Sequence, residues 1–248
     1  MLSNLDTTSW ILFMLCAALI GVGKAGVKGM GLLVVPLMAA IFGGKLSVAL
    51  VLPMLNFADI FAVSYYNRHA EWKYIKRLLP AAGLGVIIGV VVGYYVDDGV
   101  FTNMISIIII GSLILMIIQE RMVISQDIVG GWGMGSAFGL LGGFSTMIGN
   151  AAGPVIATYF LATKIPKNNF IGTAAWFYLI VNLCKIPIHV FVWKTITIQT
   201  FTLDLIAIPA ILVGIFIGIR IVKLIPEKAF RYFVMIMTFL VSLKLLIG

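Results

Sequence analysis

The stretch Pro80-Ala-Ala-Gly-Leu-Gly85-Val-Ile-Ile-Gly89 returns later as Pro209-Ala-Ile-Leu-Val-Gly214-Ile-Phe-Ile-Gly218, with Pro-Ala and the two final glycines at identical spacing. Phe101 then falls opposite Phe230. Two earlier matches keep the same order: Asn56-x-x-Asp59-Ile60 with Asn182-x-x-Lys185-Ile186, and Leu33-Val-Val-Pro36-Leu37 with Ala151-Ala-Gly-Pro154-Val155. The chain reads as an internal duplication, residues 1–124 and 125–248.

The basic residues change sides between the copies. Before the Pro-Ala-Gly-Gly segment, copy one carries Arg68, Lys73, Lys76 and Arg77; after it come only Asp97 and Asp98. Copy two has just Lys194 before, and Arg220, Lys223, Lys228 and Arg231 after. Cytoplasmic loops of membrane proteins collect Lys and Arg. Equivalent loops of the two copies are therefore expected on opposite sides of a bilayer, the inverted repeat typical of secondary transporters.

Composition supports the bilayer. The 248 residues are 62% hydrophobic and 10% charged, with mean hydropathy +1.14, whereas soluble domains carry about 25% charged residues. The net charge of +8 sits mostly in short connections, so it reads as orientation and lipid anchoring rather than nucleic-acid binding. Cys16 and Cys184 lie in apolar stretches without metal or redox spacing and read as buried packing residues. No metal site is expected, and the first residues lack the pattern of a removable signal peptide.

Six apolar runs are long enough to span as helices: 46–66, 76–96, 100–119, 170–192, 200–221 and 231–247. Residues 10–43 and 130–163 differ, each being broken by glycine and polar residues. The breaks are Gly21-Val-Gly-Lys24-Ala-Gly26-Val-Lys28-Gly29-Met-Gly31 and Gly142-Gly-Phe-Ser145-Thr146-Met-Ile-Gly149-Asn150-Ala-Ala-Gly153-Pro154. Flanking pieces of about 11–15 residues suit half-crossings, and glycine this dense is expected to unwind a helix beside a cavity. The expected fold is all-α: a polytopic membrane protein of two inverted repeats, each a re-entrant hairpin plus three transmembrane helices, with both termini outside. Full crossings of the broken segments are the alternative. Gly85, Gly89, Gly214 and Gly218 read as close helix packing.

Ionisable groups at membrane depth are costly and mark functional or paired sites. Lys24, Lys28, Asp59, Lys185 and Asp204 are the ones present. Asp59 and Lys185 occupy matching positions, so they either form an ion pair or divide the work of binding an anion and carrying a proton. Helix starts at the breaks aim free N–H groups and a positive dipole end at the same space. The candidate substrate-binding set is Lys24, Gly26, Lys28, Asn56, Ser145, Thr146, Asn150, Trp176, Asn182 and Lys185, with Asp59 as the proton-coupling site. For Lys24 and Lys28 the competing reading is snorkelling to headgroups. His189 reads as an interfacial donor and His69 as solvated; Trp72, Trp132 and Trp193 fit an aromatic belt. Gly143-Phe-Ser145 lacks an acid-base partner, so an enzyme is not expected.

These stretches together resemble the sulfite exporter TauE/SafE family of anion permeases. The resemblance rests on the run from Gly23 to Leu37, on Tyr66-Asn-Arg68-His69-Ala-Glu-Trp72 leading to Pro80, on Gly142 to Pro154, and on Val181-Asn182-Leu-Cys-Lys185-Ile-Pro187. It implies transport, with export favoured, of sulfite, organosulfonates or short carboxylates across a bacterial cytoplasmic membrane, without a cofactor. Partners are the small anion, the lipid bilayer and protons as coupling ion, with a homo-oligomer allowed. Asn150 departs from the family pattern, in which a histidine precedes the Ala-Gly-Gly-Pro-like turn. A passive anion channel is the alternative.

Overall fold

The structure, a computed structural model, describes residues 6–24, 29–66, 69–119, 131–224 and 227–247. The described residues are almost wholly helical, with no strand among them. The first five helices are α1 (Thr7–Lys24), α2 (Met30–Phe42), α3 (Gly44–Tyr66), α4 (Trp72–Tyr95) and α5 (Asp98–Ile118). Then come α6 (Trp132–Gly149), α7 (Gly153–Ala162), α8 (Lys167–Pro187), a π-helical turn Ile188–Val192, α9 (Ile198–Leu224) and α10 (Glu227–Ile247). The protein is an all-α, multi-pass membrane protein.

Six described helices have the length and apolarity of a membrane span, but the set differs from expectation. Thr7–Lys24 joins it. The arms flanking the breaks are also unequal. α1 and α6 have 18 residues each, about 27 Å at 1.5 Å per residue. α2 has 13 and α7 has 10, about 20 and 15 Å, well short of the roughly 30 Å hydrocarbon core.

Contacts fix which ends lie together. Asp98 accepts hydrogen bonds from Gly44 N (2.9 Å) and Lys45 N (2.8 Å), joining the α2–α3 and α4–α5 turns. Trp193, just after α8, packs its ring on Phe101 at 5.5 Å, so the α8–α9 turn is at this end too. At the opposite end Glu71 N donates to Thr173 Oγ1 (2.9 Å), and Asn169 donates to the Glu71 carboxylate (2.7 Å). α3 and α8 are antiparallel: Asp59 meets Asn182, while Val63 packs on Ala175 and Leu179. α4 and α6 run parallel, since Arg77 lies against Gly135, Leu78 against Gly139 and Ala82 against Gly143.

Glycines make two matched helix crossings. A Cβ on Gly143 would lie 2.0 Å from Ala82 O, and one on Gly85 would lie 2.1 Å from Leu140 O, so α4 and α6 touch backbone to backbone. α1 and α9 repeat this, with Gly21 at 2.1 Å from Ile211 O and Gly214 at 2.0 Å from Ala18 O. Gly85 and Gly214 thus pack as the sequence suggests. Gly21, Gly142 and Gly143 do not unwind their helices, contrary to expectation: they stay helical because contact with a neighbouring backbone or side chain offsets their low helix propensity. Gly143→Ala is expected to lower stability by about 1–3 kcal/mol, the usual cost of overpacking. Gly83→Ala, where a Cβ would meet nothing within 4 Å, should gain up to about 1 kcal/mol. Thermal unfolding of both variants in detergent checks the contrast.

Large apolar side chains such as Leu84, Ile88, Ile107, Ile114, Val213 and Phe216 are exposed, whereas Asn56, Asp59, Asn182 and Lys185 are buried. That is the distribution of a bundle surrounded by lipid. Two readings need correction. Cys184 is exposed, while Cys16 is buried as expected. His189 is fully buried rather than interfacial, with Nδ1 2.9 Å from Thr195 Oγ1, because the π-helical turn after Pro187 rotates it inward onto Trp193.

Candidate functional site

The second break is Asn150-Ala-Ala. α6 ends in a Schellman-type turn: Asn150 adopts φ 49°, Asn150 N donates to Thr146 O (3.0 Å) and Ala151 N to Ser145 O (3.3 Å). Asparagine tolerates this left-handed conformation better than most side chains. α7 restarts with Pro154 in its first turn and no side-chain cap. α2 likewise starts at Gly29 (φ 89°) without a side-chain cap. Two helix N-termini therefore keep free N–H donors and their positive dipole ends inside the bundle.

Four helices converge on one polar cluster. Lys24, the last residue of α1, pairs with Asp59 of α3. The other Asp59 oxygen accepts from Asn182 Nδ2 of α8 at 3.1 Å. One turn on, Lys185 Nζ donates to Asn150 Oδ1 (2.5 Å), Thr146 O (2.7 Å), Thr146 Oγ1 (3.2 Å) and Asn182 Oδ1 (3.4 Å). Asp59 and Lys185 are fully buried; Lys24 keeps 24% of its side chain exposed. The expected alternatives for Asp59 included direct pairing with Lys185. Instead its salt-bridge partner is Lys24, and Lys185 is reached only through Asn182.

This geometry has a chemical consequence. An ammonium has three protons, and those of Lys185 are met by neutral oxygens only. With Lys24 and Lys185 against Asp59, the cluster formally holds one positive charge in excess. Its longest link, Lys185 to Asn182 at 3.4 Å, is the one an arriving anion can replace most cheaply.

The remaining predicted residues divide. Thr146, Asn150 and Asn182 lie in the cluster. Asn56 is one turn before Asp59, donating to Leu52 O (3.0 Å) with its own oxygen buried and unpartnered. Ser145 donates to Gly142 O (3.2 Å) within α6. Trp176 stacks near Trp72 at 5.3 Å and packs by Val63, toward the other end of α8. Gly26 and Lys28 lie outside the described residues. Tyr178 was missed: its ring lies 5.5 Å from Lys24 Nζ, and its hydroxyl reaches Gly153 O at 3.4 Å. Its signal was register, since 178, 182 and 185 share one helix face.

Residues 11–245 match the family described as sulfite exporter TauE/SafE, nearly the whole chain. The chain belongs to that family. No curated protein and no solved structure matches it. TauE/SafE membership makes this chain a membrane anion transporter, in keeping with its six span-length apolar helices and a polar cluster of excess positive charge. A transporter family is also consistent with a non-enzymatic role, and no group of acidic, cysteine or histidine side chains suited to a metal occurs among the described residues.

Proposed function

We propose that this chain is a secondary transporter, working as an exporter, of small anions such as sulfite, organosulfonates or short carboxylates in a bacterial cytoplasmic membrane. The observation that carries the reading is the buried cluster of Lys24, Asp59, Asn182, Lys185, Thr146 and Asn150, lying beside two uncapped helix starts. The substrate oxygens take N–H donors from Lys24, Lys185 and the starts of α2 and α7, with Asn56, Ser145 and Trp176 lining the path. Lys28 and Gly26 belong to the same set.

The halves 1–124 and 125–248 act as inverted repeats that alternate access. Support comes from packing: equivalent helices α3 and α8 are antiparallel, and the α1–α9 crossing repeats as α6–α4. A two-fold relation that reverses helix direction has its axis in the membrane plane. A helical hairpin returns the chain to the side it entered from, making two passes or none, so with three further helices each half has an odd number and inversion does not depend on how deeply the hairpin enters. The ends carrying Arg77 and Arg231 face the cytoplasm; residues 97–98 and both termini face outward.

Asp59 is the coupling site of this cycle. An anion that takes Lys24 leaves Asp59 with only the Asn182 amide, and a proton then restores neutrality at a place where an unpaired charge is costly. Proteoliposome counterflow with sulfite, sulfoacetate, sulfolactate and lactate tests the carrier. Accelerated exchange of one of them, with accumulation driven by a pH gradient, is expected; equilibration without counterflow would mean a channel. Single-cysteine labelling at 77 and 231, with Cys16 and Cys184 replaced, should report one common side, and opposite sides would end the inverted arrangement.

A further inference from the structure

Two carboxylates are buried among the described residues, Asp59 and Asp204, and their surroundings are opposite. Asp59 has an ammonium on one oxygen and an amide on the other. Both oxygens of Asp204 are without a hydrogen-bond partner, although the residue is only 5% exposed. It stands six residues in from the start of α9, which packs against α1 and α3.

Among the described residues, no side chain of either neighbour hydrogen-bonds to it. Leu203 and Ala207, beside it on α9, pack with Phe13, Cys16 and Ala17 of α1 and with Leu50 and Met54 of α3. The one titratable group α1 brings there is the Cys16 thiol; the residues of α3 in this cluster are apolar. Lys24 and Asp59 are engaged with each other, and Lys45 at the start of α3 donates to Val96 O at 2.7 Å. On α9 itself, Thr200 one turn away gives its hydroxyl to Thr197 O at 3.0 Å.

Packing does not call for an acid at this place. Ile75 stands five residues before Pro80 as Asp204 stands five before Pro209, and Ile75 is fully buried in its own interface. An aliphatic side chain fills the equivalent position. An anionic carboxylate without donors is unfavourable in such surroundings, whereas a bound proton removes the charge.

We propose that Asp204 is a proton-binding site of the transport cycle, separate from Asp59. Its carboxylate takes a proton from water as an O–H bond when the α1–α9 interface opens to one side, and gives it back to water on the other; no electrons move. The neutral acid lets α9 close on α1, and the charged form favours the opened, hydrated interface. Because α1 ends at Lys24, this change reaches the cation that meets the substrate. The proposal rests on the carrier reading above.

The test compares wild type, Asp204→Asn and Asp59→Asn as purified full-length protein. Infrared spectra over a pH series read the carbonyl stretch of a buried, protonated carboxylic acid, a signal independent of transport. That band is expected in wild type, absent in Asp204→Asn and retained in Asp59→Asn. In proteoliposomes Asp204→Asn is expected to lose at least about tenfold of pH-driven accumulation while keeping counterflow. A band unchanged in Asp204→Asn overturns the site, and wild-type accumulation by Asp204→Asn overturns its coupling. Wild type that exchanges but never accumulates on a pH gradient also overturns the coupling, while absence of wild-type counterflow defeats the carrier reading itself. Asp204→Glu, which keeps the acid, should restore the band and part of the accumulation if Asp204→Asn folds poorly.

Discussion

Asp59→Asn should abolish proton-driven accumulation while leaving substrate exchange in place, because exchange moves no net proton. The same change removes the only anion from a cluster containing two lysines. Breaking a buried ion pair by deleting one partner costs about 3–5 kcal/mol. Lys24 retains 24% exposure and can turn toward water, so the lower end, about 3 kcal/mol, is the expected loss. Asp59→Asn combined with Lys24→Gln should recover most of that stability without recovering accumulation. Thermal unfolding and paired accumulation and counterflow assays on one preparation separate these effects. Full pH-driven accumulation by Asp59→Asn would reject the coupling role.

Lys185→Gln is expected to weaken anion binding far more than it changes folding. A hydrogen bond to a charged group contributes about 1.5–3 kcal/mol, which corresponds to roughly 10–150-fold in Kd. Glutamine still offers two N–H donors to Asn150 and Thr146, so the neutral oxygens around it keep partners. Lys185→Met leaves Asn150 Oδ1 without its donor and should be the less stable protein. Isothermal titration with the transported anion reads the affinity directly. Unchanged affinity in Lys185→Gln would make Lys185 a structural tie between α8 and the end of α6.

Much of this arrangement can be read from sequence because membranes constrain it twice. Lipid demands long apolar helices, so α3, α4, α5, α8 and α9 are visible as runs of hydropathy. Charge at depth is costly, so Lys24, Asp59 and Lys185 stand out, and the structure gathers them. What hydropathy cannot report is pairing. Asp59 and Lys185 share a register, yet Lys24 reaches Asp59 first because α1 ends beside it. Local composition also misjudged Gly21, Gly142 and Gly143, which stay helical. Their effect depends on what lies opposite, and a neighbouring backbone oxygen keeps Gly21 and Gly143 helical. The break at 150–152 instead follows from the left-handed Asn150 and from Pro154, which opens the next helix. Asp204 was visible as a charge in an apolar run, but its lack of any partner appears only in three dimensions.

The glycine crossings carry a historical implication. Gly21 of α1 lies against α9 and Gly143 of α6 against α4, so each hairpin's long arm is seated on a helix encoded more than fifty residues away, in the other proposed half. A gene holding one half alone would encode an arm without its seat. Its product could complete the crossing only by meeting a second molecule inserted upside down. Duplication and fusion would then have frozen a dual-topology dimer into one polypeptide, after which the two copies were free to differ, one keeping aspartate where the other has lysine.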